Sequence, residues 1–312
     1  MRINKPKFWD TKNFLSSMLE PLSWIVKLLI IIKKKSTTSI KFNIPIICVG
    51  NIYIGGTGKT PLSIFLAKEL KKIGKKPVII KKFYKEHFDE QELIKYKFED
   101  IILEKNRSEG INQAIKEGFD IVILDDGFQD YKIIKNLNIL CFNSNQLIGN
   151  GKVIPAGPLR EEFNEIKRAN IIVINGEKNL DFEKKVFDVN KTANIFYLNY
   201  KPKNIDKFKN KKILAFAGIG NPSNFFELLK KYKLNVKKTI SFPDHYFLNK
   251  RQLTEIISDA QKDNCEILTT EKDFFRVKDF KLNQINYLEV ELELENKEEF
   301  LKKISEIHDK KF

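Results

Sequence analysis

Arginine is scarce in this chain. Only six of its 56 basic residues are arginine, although the formal net charge is +15 over 312 residues. That shortage argues against a reader of DNA or RNA sequence, which leans on the guanidinium fork for bidentate contacts to bases. No zinc-finger, RNP or helix-turn-helix pattern appears either, so no nucleic-acid partner is expected. The lysine excess comes with abundant Ile, Asn and Phe, the mark of AT-rich codon usage, and is discounted as a pointer to polyanions. Cysteine is sparse too. Cys48, Cys141 and Cys265 stand far apart in apolar runs and form no CxxC pair. This is the pattern of reduced core thiols, not of a disulfide framework or a thiolate metal site. Long apolar runs are also missing. Residues 14–32, FLSSMLEPLSWIVKLLIII, are interrupted by Glu20, Pro21 and Lys27. The longest unbroken piece, residues 28–32, is far below the ~20 residues of a bilayer crossing. No small-residue cleavage site of a secretory signal follows it.

What is present is the composition of a folded enzyme, 42% hydrophobic and 31% charged, with no low-complexity tract. The N-terminal segment fits a helix lying in a membrane interface. Trp9 and Trp24 would be its amphipathic anchors, and Lys33, Lys34 and Lys35 a basic collar for anionic headgroups. A helix packed on the next domain is the other reading of the same stripe.

From residue 44 short apolar runs alternate with helical segments, which predicts parallel α/β units. PIICVG, PVIIKK, DIILEK, DIVILDD, NILCFN and NIIVIN read as strands. The lysine-dense stretch KPKNIDKFKNKK (201–212) reads as a linker. Beyond it KILAFAG, VKKTISF, CEILTT and INYLEVELEL read as strands of a second α/β set closed by a helix over 297–308. The expected architecture is therefore an N-terminal apolar helix (1–35), a P-loop NTPase-type domain with a parallel sheet and helices on both faces (36–200), the linker (201–212), and a second, smaller α/β domain (213–312).

The segment GNIYIGGTGKTPL (50–62) carries the chemistry. Gly58, Lys59 and Thr60 close a P-loop pattern whose first glycine is replaced by Tyr53. The strand before it and the helix after it set the backbone N–H groups of Tyr53, Ile54, Gly55, Gly56, Thr57 and Gly58 toward phosphates. Three glycines supply conformational freedom, and the loop can be entered from Gly50. Lys59 would reach the β/γ-phosphates and Thr60 would hold Mg²⁺. Next, IVILDDGFQ ends a strand in Asp125 and Asp126, where a Walker B acid must sit to organise Mg²⁺. An N-cap pair is the bland alternative.

Five segments in this order, GNIYIGGTGKTP, ILDDGFQ, GNGKVIPAGPLRE, FPDH and TEKD, resemble the tetraacyldisaccharide 4'-kinases, the lipid A 4'-kinases of Gram-negative bacteria. The resemblance covers most of the chain and includes the missing first glycine. It implies transfer of the ATP γ-phosphoryl group to the 4'-hydroxyl of a tetraacylated glucosamine disaccharide 1-phosphate at the cytoplasmic face of the inner membrane. ATP and Mg²⁺ are the implied cofactors, an acylated lipid the substrate and the membrane surface the partner; no protein partner is implied. It places Asp89, in FDEQELI, on the family's acceptor-side aspartate and so makes it the general base, with His245 of FPDH as its hydrogen-bonded partner. Arg160 is assigned to the transferring phosphoryl group, Glu161 to Mg²⁺ and Gln129 to the phosphate surroundings. Each of Asp89, His245 and the Arg160–Glu161 pair also has a purely structural reading. The chain departs from the family where an SRGY-like stretch is expected. Lys81, Lys82 and Phe83 stand in its first three places and most of the following loop is missing, while Asp130 replaces a histidine after DDGFQ. The competing readings are a P-loop GTPase or metallochaperone-type ATPase, disfavoured because TEKD is not N-K-x-D, and a non-catalytic nucleotide sensor at the membrane surface.

Overall fold

Strands in the first half are apolar without a polar alternation, as befits a parallel sheet covered on both faces. In the computed structural model, which describes residues 6–84, 88–244 and 246–309, the central ones are buried along nearly their whole length, and only the edge strand at residues 101–104 is mostly half-buried. The chain opens with helices α1 (Phe14–Met18) and α2 (Glu20–Ser36), then runs β1 (Ile46–Gly50), α3 (Lys59–Lys72), β2 (Pro77–Lys82), α4 (Phe88–Lys97), β3 (Ile101–Glu104), α5 (Arg107–Lys116) and β4 (Ile121–Asp125). After β5 (Leu137–Asn143), β6 (Ile171–Asn175), α6 (Leu180–Val189) and β7 (Asn194–Pro202) come β8 (Lys212–Ala217), α7 (Pro222–Lys231), β9 (Asn235–Ser241), α8 (Lys250–Lys262) and β10 (Glu266–Thr270). The chain ends with α9 (Glu271–Val277), β11 (Ile285–Leu288), β12 (Val290–Leu294) and α10 (Lys297–Asp309).

Two sheets result, an eight-stranded one in the order β12-β7-β6-β5-β1-β4-β2-β3 and a four-stranded one in the order β11-β10-β8-β9. From β7 to β3 the larger sheet is parallel throughout, and so is the smaller. The expected mainly parallel α/β fold is therefore what forms. In the larger sheet β1 lies between β4 and β5, so strand order reverses there. The carboxyl ends of strands at such a reversal are where open α/β sheets collect ligands.

The described residues divide into two compact units, one running through 6–83, 97–199 and 292–309, the other through 84–96 and 200–291. Both are discontinuous, unlike the contiguous second domain expected over 213–312. Helix α4 belongs to the smaller unit, and the run INYLEVELEL is not one strand. It splits into β11 of the small sheet and β12 of the large one. The apolar face of α10 explains the return: Phe300 is fully buried with its ring 5.2 Å from that of Phe196 on β7.

Helix α2 exists, with Pro21 in its first turn, where a missing N–H costs nothing. One side is held by the larger unit. The Ser23 hydroxyl donates to Val153 O (2.7 Å) and accepts from Ala156 N (3.1 Å). The other side exposes Leu22, Trp24, Ile25, Leu28, Leu29, Ile31 and Ile32. Trp9, expected as an interface anchor, is tied instead to the protein, its indole N–H donating to Pro155 O at 2.9 Å. Among the described residues no helix is long and apolar enough to cross a membrane.

Candidate active site

The turn after β1 is pinned from two sides. Ile54 N donates to Pro158 O (2.9 Å) and Arg160 N to Ile52 O (2.7 Å), and Tyr53 bridges to Leu159. The PAGPLRE stretch thus lies along the loop and leaves Tyr53 buried in the core at 1% exposure. A glycine there would leave a hole, which is why the sequence departs from the usual pattern at this position. Gly50 is still strand and not a point of entry. A Cβ on it would stand 2.5 Å from Phe128 Cβ, so its role is to let the chain after Asp126 pass. Gly58, at φ +91°, makes the left-handed step into α3. No side chain caps that helix, so its first N–H groups are free for an anion. Inside the loop Asn51 Nδ2 donates to Thr57 Oγ1 (3.0 Å) and Gly55 O (3.3 Å), holding Gly55, Gly56 and Thr57 in a closed turn. Gln129 braces it from outside through Asn51 O (2.8 Å).

Pairing of β1 with β4 brings the two aspartates beside this loop. Asp125 is fully buried and accepts from Thr60 Oγ1 (2.9 Å), Ser63 Oγ (3.1 Å) and Lys81 Nζ (2.6 Å). Asp126, at φ +60°, faces a different set. Arg160 Nη1 donates to both its oxygens (2.9 and 3.1 Å), Lys59 Nζ stands 3.7 Å away, and Arg107 Nη2 donates to its carbonyl (2.7 Å). Burial opposes the charge on Asp126, yet Lys59, Arg160 and Lys81 outweigh it and hold the carboxyl well below the ordinary aspartate range. Lys59, Lys81, Arg107 and Arg160 set against Asp125, Asp126 and Asp130, the last paired with Arg107, leave a positive excess at the open end of a phosphate loop. Such a place takes a polyanion.

The acceptor-side candidates lie in the smaller unit. Asp89, on α4, is buried, accepts from Glu90 N (2.9 Å) and from the Arg276 guanidinium, and has Lys272 Nζ at 3.9 Å. Arg276 reaches Asp273 (2.7 Å) and the carbonyls of Gly218 and Tyr246 (both 3.2 Å). Lys272 reaches Glu90 and Asp244, both at 3.0 Å. Burial works against its ammonium, but Glu90, Asp244 and Asp89 prevail and raise its pKa. FDEQ, FPDH and TEKD, far apart in sequence, thus meet in one charge network. His245 itself lies outside the described residues.

The family profile for tetraacyldisaccharide-1-P 4'-kinase matches residues 15–308. The chain belongs to this kinase family. It is 41% identical over 315 residues to the tetraacyldisaccharide 4'-kinase of Pelagibacter ubique, covering 99% of this chain and all of that one. The Rickettsia akari enzyme of the same name is 34% identical, covering 93% of each chain. Among solved structures, an "apo" form of LpxK from Aquifex aeolicus in complex with ATP superposes with a TM-score of 0.72 at 27% identity, covering 94% of this chain and 99% of that one.

The donors at one place in this site suit Mg²⁺. Thr60 Oγ1 and Asp125 Oδ2 are two hard oxygens side by side, and Mg²⁺ takes one or two protein oxygens and fills its shell with phosphate and water. Among the described residues no three His, Cys, Asp or Glu side chains gather as a full protein cage. The Asp126 carboxylate carries Arg160 and Lys59. Glu161 is enclosed by other side chains. Both its oxygens are taken by Arg168 Nη2 (2.9 and 2.8 Å), with Gln129 Nε2 (2.9 Å) and the Tyr131 hydroxyl added. Glu161 anchors the turn. Four residues the sequence left unmarked, Lys81, Arg107, Arg168 and Arg276, hold these acids. Arginine scarcity was a signal for three of them: with lysine so abundant, Arg107, Arg168 and Arg276 stand where a guanidinium meets an acid or a carbonyl.

Proposed function

We propose that the chain is an ATP-dependent kinase that phosphorylates the 4'-hydroxyl of a tetraacylated glucosamine disaccharide 1-phosphate in lipid A biosynthesis, working peripherally at the cytoplasmic face of a bacterial inner membrane. The observation that carries this reading is the cationic phosphate loop of Gly55 to Thr60 facing Asp125 and Asp126, in a chain of this family. Phosphoryl transfer asks for positioning and charge more than for covalent chemistry. The loop amides and the N-terminus of α3 would cradle the β- and γ-phosphates. Lys59 and Arg160, parked on Asp126, are poised to move onto the γ-phosphoryl group. Thr60 and Asp125 would hold Mg²⁺, which when bound supplies positive charge against the phosphates. Asp89 would accept the proton of the sugar hydroxyl, with His245 sharing it. An acylated substrate requires a protein at the interface, and the exposed apolar side of α2 supplies a surface for that.

A guanine-reading GTPase is disfavoured by TEKD. Asp273 is buried and bonded to Gly218 N (3.0 Å), Thr270 and Arg276, so its carboxylate is not offered to a base. The decisive experiment incubates purified protein with radiolabelled ATP and the acylated disaccharide 1-phosphate in detergent. Labelled lipid should appear with wild type and drop by at least about 10²-fold, the scale of a lost general base, in Asp89→Asn. Absence of any lipid product would sink the reading.

A further inference from the structure

Lys81, the last residue but one of β2, lies opposite Asp125 on β4. Its Nζ donates to Asp125 Oδ2 at 2.6 Å, and the two side chains are 5% and 0% exposed. The same oxygen accepts the Thr60 hydroxyl, while Oδ1 takes Ser63. The oxygen that faces Thr60 therefore already carries a full cation. A divalent ion joining Thr60 and Asp125 has to share that oxygen with an ammonium, in a place shielded from water where like charges repel strongly. The surroundings give no relief, because Lys59 and Arg160 already outnumber Asp126, and Arg107 is balanced by its own partner, Asp130.

We infer that Lys81 gates the metal side of the site: its ammonium occupies Asp125 and keeps a divalent cation out until nucleotide phosphates bring the negative charge that lets both cations stay. The inference rests on the reading of Thr60 and Asp125 as the Mg²⁺ side. Metal and nucleotide affinities are then linked, each raising the other by one factor. Free metal does not accumulate in the empty protein, and the chain meets its metal as the metal–nucleotide complex.

Mn²⁺ titration of the nucleotide-free protein, followed by the electron paramagnetic resonance of the free ion, tests this. Wild type should bind Mn²⁺ weakly and Lys81→Met at least about tenfold more tightly, with Lys81→Arg staying weak. The gain should vanish in Lys81→Met combined with Asp125→Asn, and should shrink when a non-hydrolysable ATP analogue is present. Lys81→Gln keeps a hydrogen bond to Asp125 without the charge and carries the comparison if Lys81→Met does not fold. If folded Lys81 variants bind Mn²⁺ no better than wild type, while Mn²⁺ binding with the analogue depends on Asp125, the gate is refuted and the metal reading survives. If Asp125→Asn leaves Mn²⁺ binding with the analogue unchanged, the metal reading falls and the gate with it.

Discussion

Arg276 on α9 donates to the carboxylate of Asp89 on α4, and each side chain is only 2% exposed. The proposed base is thus held as an ion in a buried pair, with Asp273 and two carbonyls satisfying the rest of the guanidinium. Removing one partner of such a pair strands the other charge, at a cost of about 3–5 kcal/mol. Arg276→Ala should lose that much stability, seen as a lower urea midpoint, and an unchanged midpoint would refute the pair. Arg276→Lys keeps the charge but not the fork. It should fold and turn over more slowly, with KM for ATP unmoved because the phosphate loop is untouched.

The depressed pKa of Asp126 has a pH signature. Burial raises it, but Lys59, Arg160 and Lys81 lower it further than burial raises it. The folded value therefore lies below the unfolded one of about 3.9. Its contribution to stability is complete above about pH 4 and is lost as the pH falls from there through the folded value. Wild type should destabilise steeply on acidification below about pH 4, and Asp126→Asn should show a shallower acid limb. Equal slopes in denaturant titrations across that range would exclude the assignment.

Tyr53 fills the place of the usual first P-loop glycine, and restoring the glycine should do harm. Its ring is part of the buried core under the PAGPLRE turn. Losing an aromatic side chain to a cavity costs about 3–5 kcal/mol, and glycine adds backbone freedom in the unfolded chain. Tyr53→Gly should melt lower without tighter nucleotide binding, as measured by calorimetry; improved ATP affinity would contradict the packing role.

Glu161 and Thr60 separate structure from metal. Glu161→Gln breaks the Arg168 clamp and should lower stability by about 1–3 kcal/mol, while leaving Mn²⁺ affinity in the presence of nucleotide near wild type. Thr60→Ala should do the reverse, with a small stability change and weakened metal binding. A Glu161→Gln protein that loses metal but not stability would return Glu161 to the ligand set.

Much of this was legible before the structure, because parallel strands and phosphate loops have local signatures. PIICVG, GGTGKT and IVILDD each fit one rule of burial or backbone geometry, and their order implies the sheet. The partners were not legible. That Lys81 meets Asp125, or Arg276 meets Asp89, depends on strand register and on α4 joining the smaller unit, neither of which is written in the neighbouring residues. INYLEVELEL was misread for the same reason. A two-residue alternation predicts strand, but only the cores available to Leu288 and Leu294 decide that it serves two sheets. The PAGPLRE motif marks Glu161, but not that Arg168, seven residues on, donates to both its oxygens.

The exposed side of α2 makes the membrane reading testable without breaking the fold. Deleting residues 1–35 would also remove Ser23 from the 153–156 turn that braces the phosphate loop, so loss of activity would be ambiguous. Ile25, Leu28, Leu29 and Ile32 recur at helical spacing, are exposed, and touch no part of that brace. Burying one such side chain in an apolar phase is worth about 1.5–3 kcal/mol. Ile25→Glu with Leu29→Glu should therefore weaken binding to anionic vesicles by at least about 100-fold in a sedimentation assay. Nucleotide affinity and turnover on detergent-dispersed substrate should stay near wild type. Undiminished sedimentation of this variant would mean that α2 is not the surface that meets the lipid, and the acylated substrate would then have to be captured by another face.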